Sequence, residues 1–345
     1  TLRTEEMPTT TLNHHERLRA LTDLLTPSII RAAATLRLAD HIAAGVNRTD
    51  ALAEVTGTIP ELLDMLLRRL AGLELLSRAE DGSYAVAPLG EPLLDTDPSG
   101  IRGLLSMDGL FGRQELALVN VLHTVRTGQP SHAAVFGAGY WEDINHNPEF
   151  VDALELNAHN PIGWDASIIV EGYDWSSVRS VTDVGGHSGA LLIELLRSHP
   201  HLTGRLLDLK NVAEVGGRAI AAAGLADRAE AVVGSFFEPL PTGTDVYLLS
   251  AILADWDDEQ AITILRRCGE AAGPGGKVLL AEVNLPVAET GSLETAGFEL
   301  YLRATMPAPV RSVAQLERLG EAAGLRVSWR GPVTPVRSLL EFTLA

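Results

Sequence analysis

Apolar residues in the first part of the chain recur at helical spacing. From His14 to Ala44, leucine, isoleucine and alanine return every three or four positions, as on the buried face of an amphipathic helix. We expect Pro27 to divide this stretch into two helices, because proline lacks the amide hydrogen that a helix interior needs. Asp50 is placed to cap a further short helix, and Pro60 suits the first turn of a helix that ends near Gly72.

A β-hairpin is predicted after these helices. In the segment LLSRAEDGSYAVAP, two short runs flank Asp81 and Gly82, a pair that favours a tight turn. Helices followed by a hairpin are typical of a winged-helix module, and many such modules bind DNA. The helix that begins at Pro60 is mostly apolar, however, and its Arg68 and Arg69 share it with acidic residues. We therefore expect this helix to pack against protein and not to enter a DNA groove.

Short apolar runs alternate with helical stretches in the second half of the chain. We predict strands at Val181 to Val184, Arg205 to Leu209, Ala231 to Val233, Asp245 to Leu249 and Lys277 to Ala281. Strands that are separated by helices indicate a parallel α/β sheet. The final segments LRVSWRG and SLLEFTLA follow one another without a helix, so we expect an antiparallel pair at the sheet edge.

These patterns divide the chain of 345 residues into four parts. We expect a flexible tail over 1–13, a helical winged-helix region over 14–100, a helical connector over 101–170 and an α/β domain over 171–345. The composition, with 46% hydrophobic and 21% charged residues, is that of a globular protein. No apolar run approaches the ~18 residues of a membrane span, and the first residues lack the apolar core of a signal peptide.

Charge and cysteine content narrow the class of partner. The 27 basic and 45 acidic residues give a net charge of −18, which disfavours nucleic acid as a partner. The single cysteine, Cys268, cannot form an intrachain disulfide. We therefore expect a cytoplasmic protein that binds neither nucleic acid nor membrane. The ten histidines are scattered along the chain, so we expect no metal site.

A glycine-rich turn follows the first predicted strand of the α/β domain, in SVTDVGGHSGALLIELL. Gly185 and Gly186 let the backbone approach a ligand closely, and the N-terminus of the helix that follows favours polar or anionic groups. The next predicted strand carries Asp208 at its end, where a carboxylate can accept hydrogen bonds from both hydroxyls of a ribose. Together these three residues predict a cofactor that contains a nucleoside.

Five longer segments carry a family resemblance: TDVGGHSG, GLADRAEAVVGSFFEPLP, DVYLLSAILADWDDEQAITILRRC, GPGGKVLLAEVNLP and the N-terminal LLTPSIIRAAATLRLADHIAAG. They resemble the S-adenosylmethionine (SAM)-dependent small-molecule O-methyltransferases of bacterial natural-product pathways, and the likeness extends from about Arg17 to the end of the chain. Ser250, where many members carry lysine, brings the sequence nearest to the anthracycline-tailoring branch, which includes both O-methyltransferases and a hydroxylase.

The resemblance implies a Rossmann-like class I methyltransferase fold behind a helical, winged-helix dimerisation domain, and a homodimer. It implies SAM or S-adenosylhomocysteine as the cofactor and a polyketide-like or aromatic natural-product intermediate as the substrate. The residues that it assigns to the cofactor are Asp183, Gly185, Gly186, Gly189, Asp208, Leu209, Ser235, Phe236, Ser250 and Trp256. Those that it assigns to the acceptor pocket are Trp141, His159, Asn160, Trp164, Leu302 and Met306.

Three positions depart from the family pattern. The third glycine of the first motif is His187, the aspartate that accepts a hydrogen bond from the adenine amino group is Ser235, and the general-base histidine of LHDW is Ala254. Alanine cannot take a proton, and general-base help is typically worth about 10² to 10⁴ in rate. We therefore look for acid, base or hydrogen-bonding groups among the remaining polar candidates, which are His187, Asp255, Glu282 and His159.

Two chemistries are compatible with these departures. In the first, the protein binds SAM and methylates a hydroxyl group, with proximity driving the reaction. In the second, which the three changes favour, the scaffold serves a non-methylating reaction such as hydroxylation, cyclisation, isomerisation or a pericyclic step. A non-catalytic binding or regulatory protein is a third alternative.

Overall fold

The computed structural model describes residues 13–147, 166–283, 296–305, 311–334 and 337–345. The chain forms two compact units, Thr1–Arg113 and Gln114–Ala345. In the part of the chain that is described, no helix has the length and apolar character that crossing a membrane requires.

The N-terminal unit is built from short helices and one hairpin. The helices before the hairpin are α1 (His14–Leu21), α2 (Leu25–Thr35), α3 (Leu38–Ala43), α4 (Thr49–Thr56) and α5 (Pro60–Gly72). The hairpin strands are β1 (Leu76–Arg78) and β2 (Tyr84–Val86), which pair in antiparallel register. A 3₁₀ helix (Pro88–Leu93) and the helix α6 (Ile101–Leu105) follow, and the unit ends at Arg113 within α7 (Leu110–Leu116).

The N-terminal helical stretch does divide near Pro27, because α1 ends at Leu21 and α2 begins at Leu25. Pro27 lies in the first turn of α2, where its missing amide hydrogen costs nothing. A further break falls at Arg37, whose φ of 54° is left-handed and separates α2 from α3. The prediction for Asp50 is wrong: α4 starts one residue earlier, so Asp50 lies inside its first turn and does not cap it. The prediction that Pro60 begins a helix is confirmed.

Helix α5 packs into the core of the N-terminal unit through one apolar face. Leu63, Leu67 and Leu70 are buried at the spacing of successive helical turns, and they join the same core as Leu52 and Tyr84. On the same helix, the Arg68 guanidinium donates to the Asp64 carboxylate at 2.8 Å. The buried face of α5 is therefore apolar and packs against protein, as expected from the sequence.

Seven of the described strands form one sheet in the C-terminal unit, in the order β5-β4-β3-β6-β7-β9-β8. The first five are parallel, whereas β9 is antiparallel to both β7 and β8. The strands are β3 (Ser180–Val184), β4 (Thr203–Asp208), β5 (Ala229–Val233), β6 (Val246–Ser250), β7 (Lys277–Val283), β8 (Leu325–Val333) and β9 (Arg337–Leu344). The predicted parallel sheet and its antiparallel end are thus confirmed.

The helices of this unit that follow α7 are α8 (Val121–Thr127), α9 (Ser131–Phe136), α10 (Tyr140–His146), α11 (Ser167–Gly172), α12 (Ala190–Ser198), α13 (Lys210–Ala222), α14 (Asp258–Ala272), α15 (Ala296–Thr305) and α16 (Val313–Ala322). Of these, α11, α12, α13, α14 and α16 pack on the two faces of the sheet. Successive residues of β6 belong to the hydrophobic cores on the two sides of the sheet. Leu248 packs with residues of α12 and α13, and Leu249 packs with residues of α14 and α16. Because β3 lies between β4 and β6, the chain reverses its winding direction at the end of β3, which is where such sheets bind ligands.

Candidate functional site

The turn after β3 is a tight backbone cradle. Gly185 has a φ of +73°, and a Cβ at this position would lie 2.7 Å from Ile252 Cδ1. A Cβ on Gly186 would lie 2.7 Å from Asp183 Oδ2. His187 follows with a left-handed φ of 53°, which is rare for a residue with a side chain. The glycines at these positions are therefore required by the local packing.

Asp183 places a buried carboxylate under this turn. The residue is 2% exposed, and its Oδ2 has no hydrogen-bond partner among the described residues. Burial, together with the negative charge of Asp208, raises the pKa of Asp183 to about 7. A buried polar atom without a partner is unusual in a folded protein and is an indication that a ligand supplies one.

Asp208 lies at the end of the neighbouring strand β4 and faces the same turn. Its Oδ2 accepts a hydrogen bond from the His187 amide at 2.9 Å, and its Oδ1 accepts one from the Leu209 amide at 2.7 Å. Burial raises the pKa of Asp208 to about 6, although these two hydrogen bonds oppose the shift. Gly189, with a φ of 83°, then precedes the first turn of α12.

An aromatic cluster borders the glycine turn. Phe236 and Phe237 both pack edge-on against Trp256, with ring centroids 5.7 and 4.9 Å away. Phe236 also lies beside Gly185, since a Cβ there would come within 3.2 Å of its ring. The Ser235 hydroxyl accepts a hydrogen bond from the Phe237 amide at 3.2 Å, so this side chain helps to shape the turn after β5.

The loop after β6 is held by a buried carboxylate. Glu282, at the end of β7, is 2% exposed. Its Oε2 accepts from the Leu253 amide at 2.8 Å, and its Oε1 accepts from the Val283 amide at 2.9 Å. Burial raises the pKa of Glu282, whereas the two hydrogen bonds and the charges of Arg337 and Arg311 lower it.

Two buried arginines bind this loop and the strand ends next to it, and neither was predicted from the sequence as a site residue. The Arg311 guanidinium donates to the carbonyls of Leu253 and Trp256, both at 2.6 Å. The Arg337 guanidinium donates to the Ser250 hydroxyl at 3.0 Å and to a carbonyl of β7 at 2.7 Å. Ser250 thus contacts an arginine at the end of β6. Two arginines within otherwise apolar segments of an acidic chain were the available signal.

Trp141 connects two of the candidate polar residues. Its indole Nε1 donates to Asp255 Oδ2 at 3.0 Å, and its ring lies edge-on to the His187 ring at 5.8 Å. Burial and the charge of Glu282 raise the pKa of Asp255 to about 8, against the effect of the Trp141 hydrogen bond. Burial lowers the pKa of His187 to about 4, so its imidazole is neutral near pH 7.

The remaining candidates are divided between described and undescribed segments. Leu302 is half-buried on α15, where the carbonyl of Ala304 accepts a hydrogen bond from the Ser131 hydroxyl of α9. His159, Asn160, Trp164 and Met306 lie outside the described residues. Among the described residues, no group of histidine, cysteine and acidic side chains could hold a metal ion.

The residues at this edge fit SAM. Two glycines open the backbone, Asp183 has a carboxylate oxygen without a partner, Asp208 stands at the end of the adjacent strand, and Phe236 with Trp256 provides aromatic surface. A glycine turn and an acidic strand end on a Rossmann-like sheet that is extended by an antiparallel pair define a class I methyltransferase.

Comparison with known proteins identifies the family. Residues 119–326 match the model of the O-methyltransferase domain, and residues 18–96 match the O-methyltransferase dimerisation domain. The chain therefore belongs to the O-methyltransferase family, and it is a methyltransferase-like enzyme of natural-product tailoring. The predicted family, the fold with its N-terminal dimerisation domain and SAM as the cofactor are confirmed.

The similar proteins include enzymes of two Streptomyces species. The 2,7-dihydroxy-5-methyl-1-naphthoate 7-O-methyltransferase of Streptomyces carzinostaticus is 41% identical over 95% of this chain and 98% of its own length. Aclacinomycin 10-hydroxylase of Streptomyces purpurascens is 39% identical over 77% of this chain and 71% of its own. A crystal structure of an O-methyltransferase from neocarzinostatin biosynthesis, with S-adenosylhomocysteine and 1,4-dihydroxy-2-naphthoic acid, superposes with a TM-score of 0.81 at 41% identity and covers 95% of this chain and 98% of its own.

Proposed function

We propose that this protein transfers a methyl group from SAM to a hydroxyl group of a polyketide-like aromatic intermediate. The observation that carries this proposal is the glycine cradle between two acidic strand ends, where Asp183 keeps a buried oxygen without a partner and Asp208 stands beside it. The naphthoate O-methyltransferase with 41% identity over nearly the whole chain supports an aromatic hydroxyl as the acceptor.

The residues of this edge have distinct tasks in that proposal. The Asp208 carboxylate accepts hydrogen bonds from the ribose hydroxyls, while Gly185 and Gly186 allow the backbone to approach the cofactor. Phe236 and Trp256 provide aromatic surface for the adenine. When bound, SAM supplies a methyl group that its sulfonium charge already activates. Because burial keeps His187 neutral, its imidazole does not repel that charge.

Proximity supplies much of the rate in this proposal. Holding two reactants in line can contribute about 7–11 kcal/mol to lowering a barrier. The cradle and the fixed loop after β6 are suited to this task, because Glu282 binds the amide of Leu253 and Arg311 binds its carbonyl. The loss of the histidine at Ala254 then reduces the rate without abolishing the reaction.

Calorimetric titration with SAM and with S-adenosylhomocysteine tests cofactor binding, with Asp208→Asn as the variant that should weaken it. Mass spectrometry after incubation with SAM and 1,4-dihydroxy-2-naphthoic acid then tests transfer, and we expect a product heavier by one methylene unit. A protein that gives no heat at millimolar SAM, or that consumes no SAM in the presence of a panel of hydroxynaphthoates and anthracyclines, contradicts the proposal.

A non-methylating reaction is the second candidate function. Ala254 in place of the base and the His187 side chain at the third glycine position favour it, and one relative at 39% identity is named a hydroxylase. If this function is correct, the substrate is altered without gaining a methyl group, and SAM is not consumed. The same mass-spectrometric experiment therefore separates the two functions.

We also propose that the N-terminal unit forms a homodimer. Its first helices expose apolar side chains that water disfavours, namely those of Leu18, Leu21, Leu24 and Leu25. The match of residues 18–96 to a dimerisation domain supports a second copy as the partner of this surface. Light scattering should give twice the chain mass, and Leu21→Glu together with Leu24→Glu should shift it towards the monomer.

A further inference from the structure

We propose that Asp255 accepts the proton of the acceptor hydroxyl in place of the missing histidine, and that Trp141 positions it for this task. This inference rests on the proposed methyl transfer, because it names the residue that would handle the proton in that reaction. It starts from the position next to Ala254, where the chain keeps a carboxylate whose neighbours are unusually well fixed.

The backbone on both sides of Asp255 is held in place. The Leu253 amide donates to Glu282, and the Leu253 carbonyl accepts from Arg311. The Trp256 carbonyl accepts from the same arginine. A carboxylate between two such anchored residues has little freedom to move, which is what a proton acceptor in a fixed geometry needs.

Trp141 fixes the carboxylate itself. Its indole N–H donates to Oδ2 at 3.0 Å, and among the described residues Oδ1 has no hydrogen-bond partner. The tryptophan reaches Asp255 from α10, and its ring also contacts the His187 ring of the glycine turn. One carboxylate oxygen is therefore occupied by a donor that cannot accept a proton, and the other remains available.

The charged and titratable groups around Asp255 support its role. Glu282 on β7 raises its pKa, and Tyr140 on α10 is a neutral neighbour because burial and the Asp255 charge raise the pKa of its hydroxyl. His187 is neutral as well. With a pKa of about 8, Asp255 is a stronger base than an ordinary carboxylate and closer in basicity to a phenol.

The other described candidates are less suited to take a proton. Both oxygens of Glu282 accept backbone amides, and the side chain is almost fully buried. His187 has a pKa of about 4, which makes it a weak base. Asp255 therefore combines an available oxygen with adequate basicity.

The proposed step conserves atoms and charge. The acceptor O–H bond breaks and its proton passes to Asp255 Oδ1, while an oxygen electron pair forms the new bond to the methyl carbon. The electron pair of the breaking C–S bond remains on sulfur, which becomes a neutral thioether. The proton then leaves Asp255 to solvent before the next turnover.

Two variants test the inference, and Glu142→Gln is the matched control because it removes an exposed carboxylate beside Trp141. Asp255→Asn keeps the size of the side chain but cannot accept the proton. Trp141→Phe keeps an aromatic ring but removes the N–H donor. The assay is kcat against pH with SAM and 1,4-dihydroxy-2-naphthoic acid, followed by a series of hydroxynaphthalenes of increasing acidity.

We expect the kcat of the wild-type protein to rise with pH and to level off, with the midpoint below pH 8, because kcat reports the loaded enzyme and the positive charge of bound SAM lowers the pKa of Asp255 from about 8. Asp255→Asn should lower kcat about 100-fold, in line with typical general-base effects, and the loss should shrink as the acceptor becomes more acidic. Trp141→Phe should move the rising limb to higher pH, because its N–H stabilises the charged form. Glu142→Gln should reproduce the wild-type profile, and circular dichroism and S-adenosylhomocysteine binding should show that all variants are folded.

The results distinguish a failure of the proposed role of Asp255 from a failure of the proposed methyl transfer. A wild-type protein that transfers no methyl group overturns the proposed function, and the inference falls with it. If the wild-type protein methylates but Asp255→Asn keeps the wild-type pH limb, or loses the same factor with every acceptor, Asp255 is not the proton acceptor and the proposed function stands.

Discussion

Replacing Asp183 with asparagine should make the protein more resistant to unfolding at high pH and weaken its affinity for SAM. The native carboxyl group is 2% exposed, and burial next to Asp208 raises its pKa from 3.8 to about 7. Between these two pH values the folded protein keeps the proton, whereas the unfolded chain releases it. The wild-type protein therefore loses stability as the pH rises through this window. Asparagine has no proton to release there.

The shift in pKa sets the size of the effect. At about 1.4 kcal/mol per pKa unit, a shift of roughly three units corresponds to an upper limit of about 4 kcal/mol above pH 7. Between pH 5 and pH 8, the free energy of unfolding of the variant should gain about 2 to 3 kcal/mol relative to the wild type. A buried amide hydrogen without a partner subtracts a pH-independent cost of about 1 to 3 kcal/mol. The change with pH is therefore the quantity to measure.

Urea unfolding at several pH values measures this difference, and Asp227→Asn is the control because Asp227 is exposed. The control should stay within about 0.5 kcal/mol of the wild type throughout. Calorimetry should show that Asp183→Asn weakens SAM binding about tenfold, the value of one hydrogen bond to a charged group. A stability difference that is the same at pH 5 and pH 8 would refute the reasoning, because Asp183 would then not be a carboxylate forced to ionise in the interior.

Three further substitutions test the packing of the site. Gly186→Ala should destabilise the fold by about 1 to 3 kcal/mol in urea unfolding, because the new Cβ would lie 2.7 Å from Asp183 Oδ2. Its control Gly217→Ala, on α13 with only an ordinary contact at 3.4 Å, should stabilise by about 0.5 to 1 kcal/mol. Glu282→Gln should cost about 1 to 3 kcal/mol in urea unfolding because an amide cannot accept both backbone hydrogens, and it should move the kcat limb to lower pH by removing a negative charge near Asp255. Arg311→Lys should lower the thermal midpoint in calorimetry, since one ammonium group cannot bridge both loop carbonyls.

The order of the main elements could be predicted because its signals are local. Parallel strands are buried on both faces, so they appear as continuous apolar runs such as Val278 to Ala281. The helix ends were harder to predict. Proline is tolerated in a first turn and breaks a helix interior, and the pattern around Pro27 does not decide between the two. Helix α4 begins at Thr49, so Asp50 lies in its first turn, although aspartate is also a common N-cap residue.

In the candidate site, too, the features with local sequence signals could be predicted and the others could not. Gly185, Gly186 and Asp208 belong to a strand, a turn and the next strand end, and the spacing between them was enough to predict a cofactor edge. The hydrogen bond between Trp141 and Asp255 joins residues 114 positions apart, and the bond from Arg311 to the Leu253 carbonyl joins residues 58 apart. Such contacts form only in the packed fold, and no local pattern in the sequence predicts them.

The acidic groups around the cleft have one physical feature in common. Burial raises the pKa values of Asp183, Asp208, Asp255 and Glu282 above those of carboxyl groups in water. A bound sulfonium brings a positive charge, and a nearby positive charge lowers a carboxyl pKa. Cofactor binding and ionisation of the cleft therefore favour each other. In the proposed reaction, ionised Asp255 is the form that takes the proton, so the charge of the methyl donor would itself favour the active form of the base in a chain that has alanine at position 254.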